Sequence, residues 1–311
     1  MLRIHHFAQS FSFGTIALNF KSSPTGWIFA ISANVIWGLF PIFWNLLQSV
    51  PTNQLVCHRV VWAFGFSLLI FASRYALASP RRRARWIVLF RRPRTWLVYG
   101  AAALMVFLNW GAFLWAMNHD QYLAASLGYY INPMCNVLLG VLFLGERLSS
   151  RRKIAMVGVG IGVAVMTYAA GQPPWVSLIM ATSFSLYALI KKVGKLDGLN
   201  SLFLETTILL LPVLLFMAAY IPSSEHVFAA GSRFMDLLLI AGGFVTLAPL
   251  VLFSAAAQRI PLSLLGMLQY VGPTMQFLVA VFYMQQPLHL LTAVGFVFVW
   301  AGVVLFLIAR D

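Results

Sequence analysis

From residue 25 to residue 309 the chain alternates between long apolar runs and brief polar breaks. A bilayer core needs about 20 apolar residues per helix. Runs of that order cover 25–46, 52–73, 95–117, 121–144, 153–170, 173–190, 199–221, 234–257, 261–284 and 287–309. The pattern predicts an all-α polytopic membrane protein with ten transmembrane helices. Connections such as "NHDQ" and "QRIP" are so short that the helices they join must form antiparallel hairpins. Residues 1–24 hold one brief apolar stretch, "FSFGTIALNF", too short to span the bilayer. They are expected to form a flexible or interfacial extension that the fold does not need.

Composition agrees with this pattern. The chain is 61% hydrophobic and 9% charged, whereas a soluble domain carries roughly 25% charged residues. A net charge of +14 raises nucleic-acid binding as an alternative, and the placement of the basic residues excludes it. Of the 21 Lys and Arg, all but Arg59 and Arg233 fall on one side: Arg3, Lys21, the arginines from Arg74 to Arg94, Arg147 to Lys153, Lys191, Lys192, Lys195, Arg259 and Arg310. Basic loops stay in the cytoplasm, so both termini are expected inside, in a bacterial inner membrane. The run "RRRARWIVLFRRPR" is then an inside marker that can touch anionic lipid. Cys57 and Cys135 lie in apolar runs and read as small buried residues, not as a disulfide or metal pair.

The chain also resembles itself. "GYYINPMCNVLLGVLFLGERL" (Gly128 to Leu148) aligns with "LQYVGPTMQFLVAVFYMQQPL" (Leu268 to Leu288), matching Tyr130 to Tyr270, Pro133 to Pro273 and Asn136 to Gln276. The same offset of 140 places Phe113 on Phe253, Ala116 on Ala256 and Gly162 on Gly302. Each unit holds five helices, and an odd number makes the second copy enter from the opposite side. The domains are therefore expected to be the 1–24 extension, a 25–170 repeat and a 171–311 repeat of inverted topology. Secondary transporters are commonly built this way, with the substrate near the midplane between the halves.

Polar residues inside spans are the candidate chemistry. Arg59 lies about seven residues into the second span, roughly 10 Å deep. Snorkelling to the outer surface is the bland reading, but the nearby end is a helix N-terminus, whose dipole repels a cation; pairing within the bundle is favoured. Its neighbour His58 is either a donor to a carbonyl or a group that carries a proton. Glu205 is the acid set well inside a span, near the inner face, and desolvation makes it a candidate proton-coupling site; the alternative is a neutral, hydrogen-bonded carboxyl. Tyr129, Tyr130, Asn132 and Asn136 in the fourth span and Gln269, Tyr270 and Gln276 in the ninth form polar stripes beside Pro133 and Pro273. Asn109, Trp110 and Asn118 of the third span are expected to join them around a midplane cavity. Interhelical glue, worth about 0.6 kcal/mol per hydrogen bond, is the competing account of this set. Gly158, Gly160 and Gly162 read as close helix packing.

These residues carry a family resemblance. "HRVVW", "LNWGAFLWAMNH", "ASLGYYINPMCNVLLGVLFLGERLS", "LFLETTILLLP" and "LGMLQYVGPTMQFLVAVF" together resemble the RarD-like members of the EamA-type branch of the drug/metabolite transporter superfamily. Similarity covers roughly residues 26–309. One departure is Gln285-Gln286-Pro287, where the family usually places an acid after Gly. The resemblance implies a ten-helix permease, of a group linked to chloramphenicol sensitivity, moving a small metabolite or drug-like molecule by alternating access with proton coupling. The expected partners are that small molecule, the bilayer and a second copy as a homodimer, with no nucleic acid. No cofactor or metal is implied: the chain lacks a His-Glu-x-x-His motif, paired Asp in a span or a phosphate-binding Gly loop between strands. A membrane enzyme or scaffold acting on a lipid-soluble substrate is the alternative.

Overall fold

The computed structural model describes residues 23–119, 122–170, 175–285 and 290–309. In chain order the helices are α1 (Pro24–Asn45), α2 (Thr52–Leu77), α3 (Pro80–Phe90), α4 (Pro93–Asn118), α5 (Tyr122–Leu144), α6 (Ser150–Ala170), α7 (Trp175–Val193), α8 (Gly198–Tyr220) and α9 (Arg233–Ala257). They are followed by α10 (Leu262–Gln269), α11 (Val271–Leu278), a π turn (Val279–Tyr283) and α12 (Leu290–Ile308). Among the described residues, ten helical segments are long and apolar enough to cross a membrane. The 1–24 extension lies almost wholly outside the described residues.

Local chemistry explains the boundaries. Proline opens α1, α3 and α4, where its missing N–H costs nothing. Asp197 caps α8 by accepting from the Asn200 amide at 3.2 Å, and Ser232 caps α9 through Met235 at 3.3 Å. Glu146, from the "GERLS" segment, accepts the amides of Leu262 (2.6 Å) and Ser263 (2.9 Å) at the start of α10. A carboxylate there satisfies two orphan donors and opposes the helix dipole.

Two expectations change here. The arginine-rich 74–94 stretch is not only a loop: α3 turns Trp86 inward against Phe71 and Tyr75, while its arginines stay largely in solvent. The ninth span is broken at Tyr270, because Pro273 has no N–H to return to the Gln269 carbonyl. Gly158 and Gly160 also differ from Gly162. A Cβ on Gly162 would lie 2.6 Å from the Gly295 carbonyl, whereas one on Gly158 would meet only Gly302 at 3.8 Å.

Helix pairing follows a rule. α6 packs on α12, α5 on α10 and α2 on α8. The α5–α7 and α4–α7 contacts answer to the α10/α11–α1 and α9–α1 contacts, and α9–α2 answers to α4–α8. Counting spans, each of these pairings survives when both helices are replaced by those five spans away. At the α6–α12 seam the correspondence reaches single atoms. Gly162 abuts Gly295 and Val299, while Gly302 abuts Ala155 and Val159, each contact being the other shifted by 140.

Candidate functional site

Arg59 lies inside the bundle, two turns from the start of α2. Its guanidinium carbon is 4.9 Å from the Trp44 ring of α1 and 4.9 Å from the Trp110 ring of α4. Nε donates to Thr246 Oγ1 of α9 at 3.1 Å. Four spans, α2 included, thus meet at one cation. A desolvated cation–π contact is worth about 2 kcal/mol, so two supply about 4 kcal/mol. Insertion scales charge roughly 2.5–3.5 kcal/mol for an arginine at a helix centre. The two indoles suffice to hold the charge without a carboxylate. Among the described residues the two Nη atoms have no hydrogen-bond partner. That leaves unpaired the end-on fork that binds carboxylates in a bidentate manner.

His58, one residue back, faces elsewhere. Its ring lies 5.6 Å from Phe228, and the Trp62 ring lies 5.3 Å from the same phenylalanine. Gln54 ties this covering segment down, donating to the Glu225 carbonyl (2.8 Å) and accepting from the Val227 amide (3.0 Å). Among the described residues, both His58 nitrogens and Trp62 Nε1 are buried with no hydrogen-bond partner. Such groups are costly to leave unmade and would gain from water or a polar ligand group.

Glu205 belongs to a second cluster, and Lys191 is its partner. Lys191 Nζ lies 2.5 Å from Glu205 Oε1, with the two side chains 0% and 2% exposed. Lys191 also donates to Ser201 Oγ, and Tyr187 donates to Glu205 Oε2 at 3.1 Å. The Tyr187 and Tyr99 rings lie 5.2 and 5.9 Å from the ammonium. The assignment of Lys191 to an inner loop is thereby corrected: α7 runs to Val193, and its last turn points back against α8. Glu205 is a buried acid in an ion pair, not a lone one.

The remaining polar residues mostly join helices. Asn109 donates to the Met180 carbonyl (2.8 Å), and Asn132 to the Ala181 carbonyl (3.0 Å) and Ser185 Oγ (2.8 Å), tying α4 and α5 to α7. Asn136 donates to Gln269 across the α5–α10 contact. Tyr130 donates to the Pro273 carbonyl (3.3 Å), Tyr270 to the Tyr130 carbonyl (3.0 Å), and Gln276 to the Trp37 carbonyl (3.0 Å). Of the sequence candidates, the structure brings Arg59 and Trp110 together, while Tyr129 is 37% exposed. The others serve the interfaces around them, and the Asn118 side chain lies outside the described residues. Cys57 is buried, Cys135 half-buried, and both are free thiols.

Sequence reading missed Trp44, Thr246, Tyr187 and Lys191. The last two had a signal. Tyr187 and Lys191 are four apart on one helix, Ser201 and Glu205 four apart on the next, and a short turn joins them.

Comparison with known proteins agrees with this architecture. The sequence profile described as "EamA-like transporter family" matches residues 24–168. Protein RarD of Streptomyces exfoliatus is 39% identical over 285 residues, covering 90% of this chain and 87% of that protein. Protein RarD of Escherichia coli K12 is 35% identical over 287 residues, covering 92% and 95%. A solved crystal structure superposes with a TM-score of 0.70 at 19% identity, covering 92% of this chain and 99% of the other, which shows a shared fold. The chain belongs to the EamA-like transporter family, in its RarD-like branch; it is a multi-pass membrane transporter and not an enzyme.

Proposed function

We propose that this EamA-family transporter is a secondary active carrier of a small molecule bearing an anionic group, working by alternating access with proton coupling. One observation carries the reading: Arg59 is clamped between Trp44 and Trp110 and anchored by Thr246, with its Nη fork unpaired. A planar, permanently charged group fixed in this way is preorganised for a carboxylate or related anion. The flanking indoles supply apolar and aromatic surface for the rest of the cargo.

The Glu205–Lys191 pair is the proposed titratable element. A buried pair can hold its charges or become neutral by passing the proton, so a small change in solvent access shifts its state. Arg59 lies two turns from one end of its helix and Glu205 near the opposite face. In this reading cargo meets Arg59 when the outer side opens, and protons meet Glu205 when the inner side opens.

Inverted five-helix repeats would supply the motion, one half rocking against the other. Support comes from the pairing rule across the two halves and the reciprocal Gly162 and Gly302 contacts. Both termini are placed in the cytoplasm by the basic-residue bias. The test is uptake by proteoliposomes from a metabolite library under an imposed proton gradient. Gradient-dependent accumulation of small anions above protein-free vesicles is the expected result; accumulation unaffected by collapsing the gradient would remove proton coupling.

A further inference from the structure

Away from Arg59 and Glu205, a pocket of about 280 Å³ lies between α3, the end of α2 and the turn joining α7 to α8. Its lining carries Arg74, Arg82, Arg85 and Lys195 against a single acid, Asp197. Arg74 is already matched, with Nη1 and Nη2 3.0 and 3.3 Å from the two Asp197 oxygens. The side chains of Arg82, Arg85 and Lys195 have no hydrogen-bond or ion-pair partner among the described residues, so the pocket keeps an excess of about three positive charges. Trp86 gives it an apolar wall.

We infer that this pocket binds a phosphate group, and that the phosphate is the headgroup of an anionic phospholipid. Three observations favour a lipid. The pocket sits where α2 leaves the membrane, two residues before α3 begins. α3 is short, carries its arginines at 81–83 and 85, and exposes Ile87 (39%) and Val88 (50%) beside the pocket-lining Arg85 and Trp86. That is the build of a helix lying in the headgroup layer. The neighbouring start of α4 exposes Trp96 and Leu97, an interfacial aromatic and a residue suited to acyl chains. Arg82, Arg85 and Lys195 all line this one volume, and their guanidinium and ammonium groups are the charge-assisted donors that phosphate oxygens accept. Bound lipid would press on the Arg74–Asp197 pair. Asp197 caps α8, the helix that bears Glu205, so occupancy would steady that helix.

The experiment is native mass spectrometry of the full-length protein in neutral detergent, titrated with phosphatidylglycerol or phosphatidylcholine. A matching titration uses soluble glycerol 3-phosphate. A pocket triple variant, Arg82→Gln/Arg85→Gln/Lys195→Gln, is set beside an off-pocket triple of equal charge, Arg91→Gln/Arg94→Gln/Arg151→Gln. Wild type should retain phosphatidylglycerol in preference to phosphatidylcholine. The pocket variant should bind it on the order of 100-fold more weakly, at about fivefold per basic residue, and the off-pocket variant should bind nearly as wild type. Melting in detergent checks that both variants fold; should the triple unfold, Arg82→Gln/Arg85→Gln replaces it with a loss of roughly 30-fold. Equal losses in the two triples would reduce the effect to diffuse attraction and overturn the site. Glycerol 3-phosphate binding as tightly as the lipid would overturn the lipid assignment.

Discussion

Replacing Lys191 with Met removes the cation beside Glu205 and keeps most of the aliphatic stem. With the two side chains 0% and 2% exposed and the charges 2.5 Å apart, Glu205 is left either as an unpaired buried carboxylate or with a proton it must acquire. Breaking a buried pair from one side costs about 3–5 kcal/mol, and Glu205→Leu should cost a similar amount by stranding the ammonium. Replacing both partners removes the stranded charge. What then remains is mainly the Tyr187 hydroxyl, which loses its acceptor at a cost of about 1–3 kcal/mol. Lys191→Met/Glu205→Leu should therefore be more stable than either single variant. The assay is unfolding in mild detergent, by heat or by titration with a denaturing detergent, followed by helical circular dichroism. A Lys191→Met protein within about 1 kcal/mol of wild type, or a double variant less stable than both singles, would refute the reasoning.

Three further outcomes follow from particular contacts. Gln285 sits in left-handed backbone at φ 53°, where the position 140 residues earlier is Gly145 at φ 66°. Gln285→Gly should raise the melting temperature through roughly 1 kcal/mol of relieved strain, less the side-chain bond to Phe282. Gly162→Ala drives a Cβ into the Gly295 carbonyl and should cost about 1–3 kcal/mol. Gly158→Ala meets open packing and should be neutral or stabilise by about 0.5–1 kcal/mol, and the two melting curves should separate accordingly. Glu205→Gln should abolish gradient-driven accumulation while sparing exchange of cargo for cargo, read as counterflow in proteoliposomes; full accumulation in that variant would make the acid structural.

Much of the fold was legible because bilayer thickness imposes a length on apolar runs, and ten such runs stand out. The break in the ninth span was half-visible in Pro273, but its partner Pro133 sits in α5 without breaking it. Proline alone did not decide. α3 was hidden by its arginines, whose inside-marker role masked the inward Trp86. At the site, Arg59 stood out because a charge in a span is costly. Its clamp did not, since Trp44 and Thr246 are ordinary residues of other spans, and only the packing of α1 and α9 brings them to it. Asn109, Asn132 and Asn136 looked like a lining because helical spacing shows that residues share a face. It does not show that Asn109 and Asn132 are met by carbonyls of α7, or Asn136 by Gln269 of α10. Lys191 was misplaced for the opposite reason: a lysine at a span's end usually reaches water, and here a facing acid draws it inward.

The central claim is that Arg59 recognises an anionic group on the cargo. Its direct test is uptake of matched pairs, each a small carboxylate and its neutral amide, into proteoliposomes holding wild type or Arg59→Lys. The account predicts that wild type accumulates carboxylates and rejects their amides. Arg59→Lys should keep its melting temperature yet lose about tenfold or more in apparent affinity, because an ammonium cannot reproduce the bidentate fork. Amides accumulated as well as carboxylates, or an Arg59→Lys protein that transports like wild type, would contradict it.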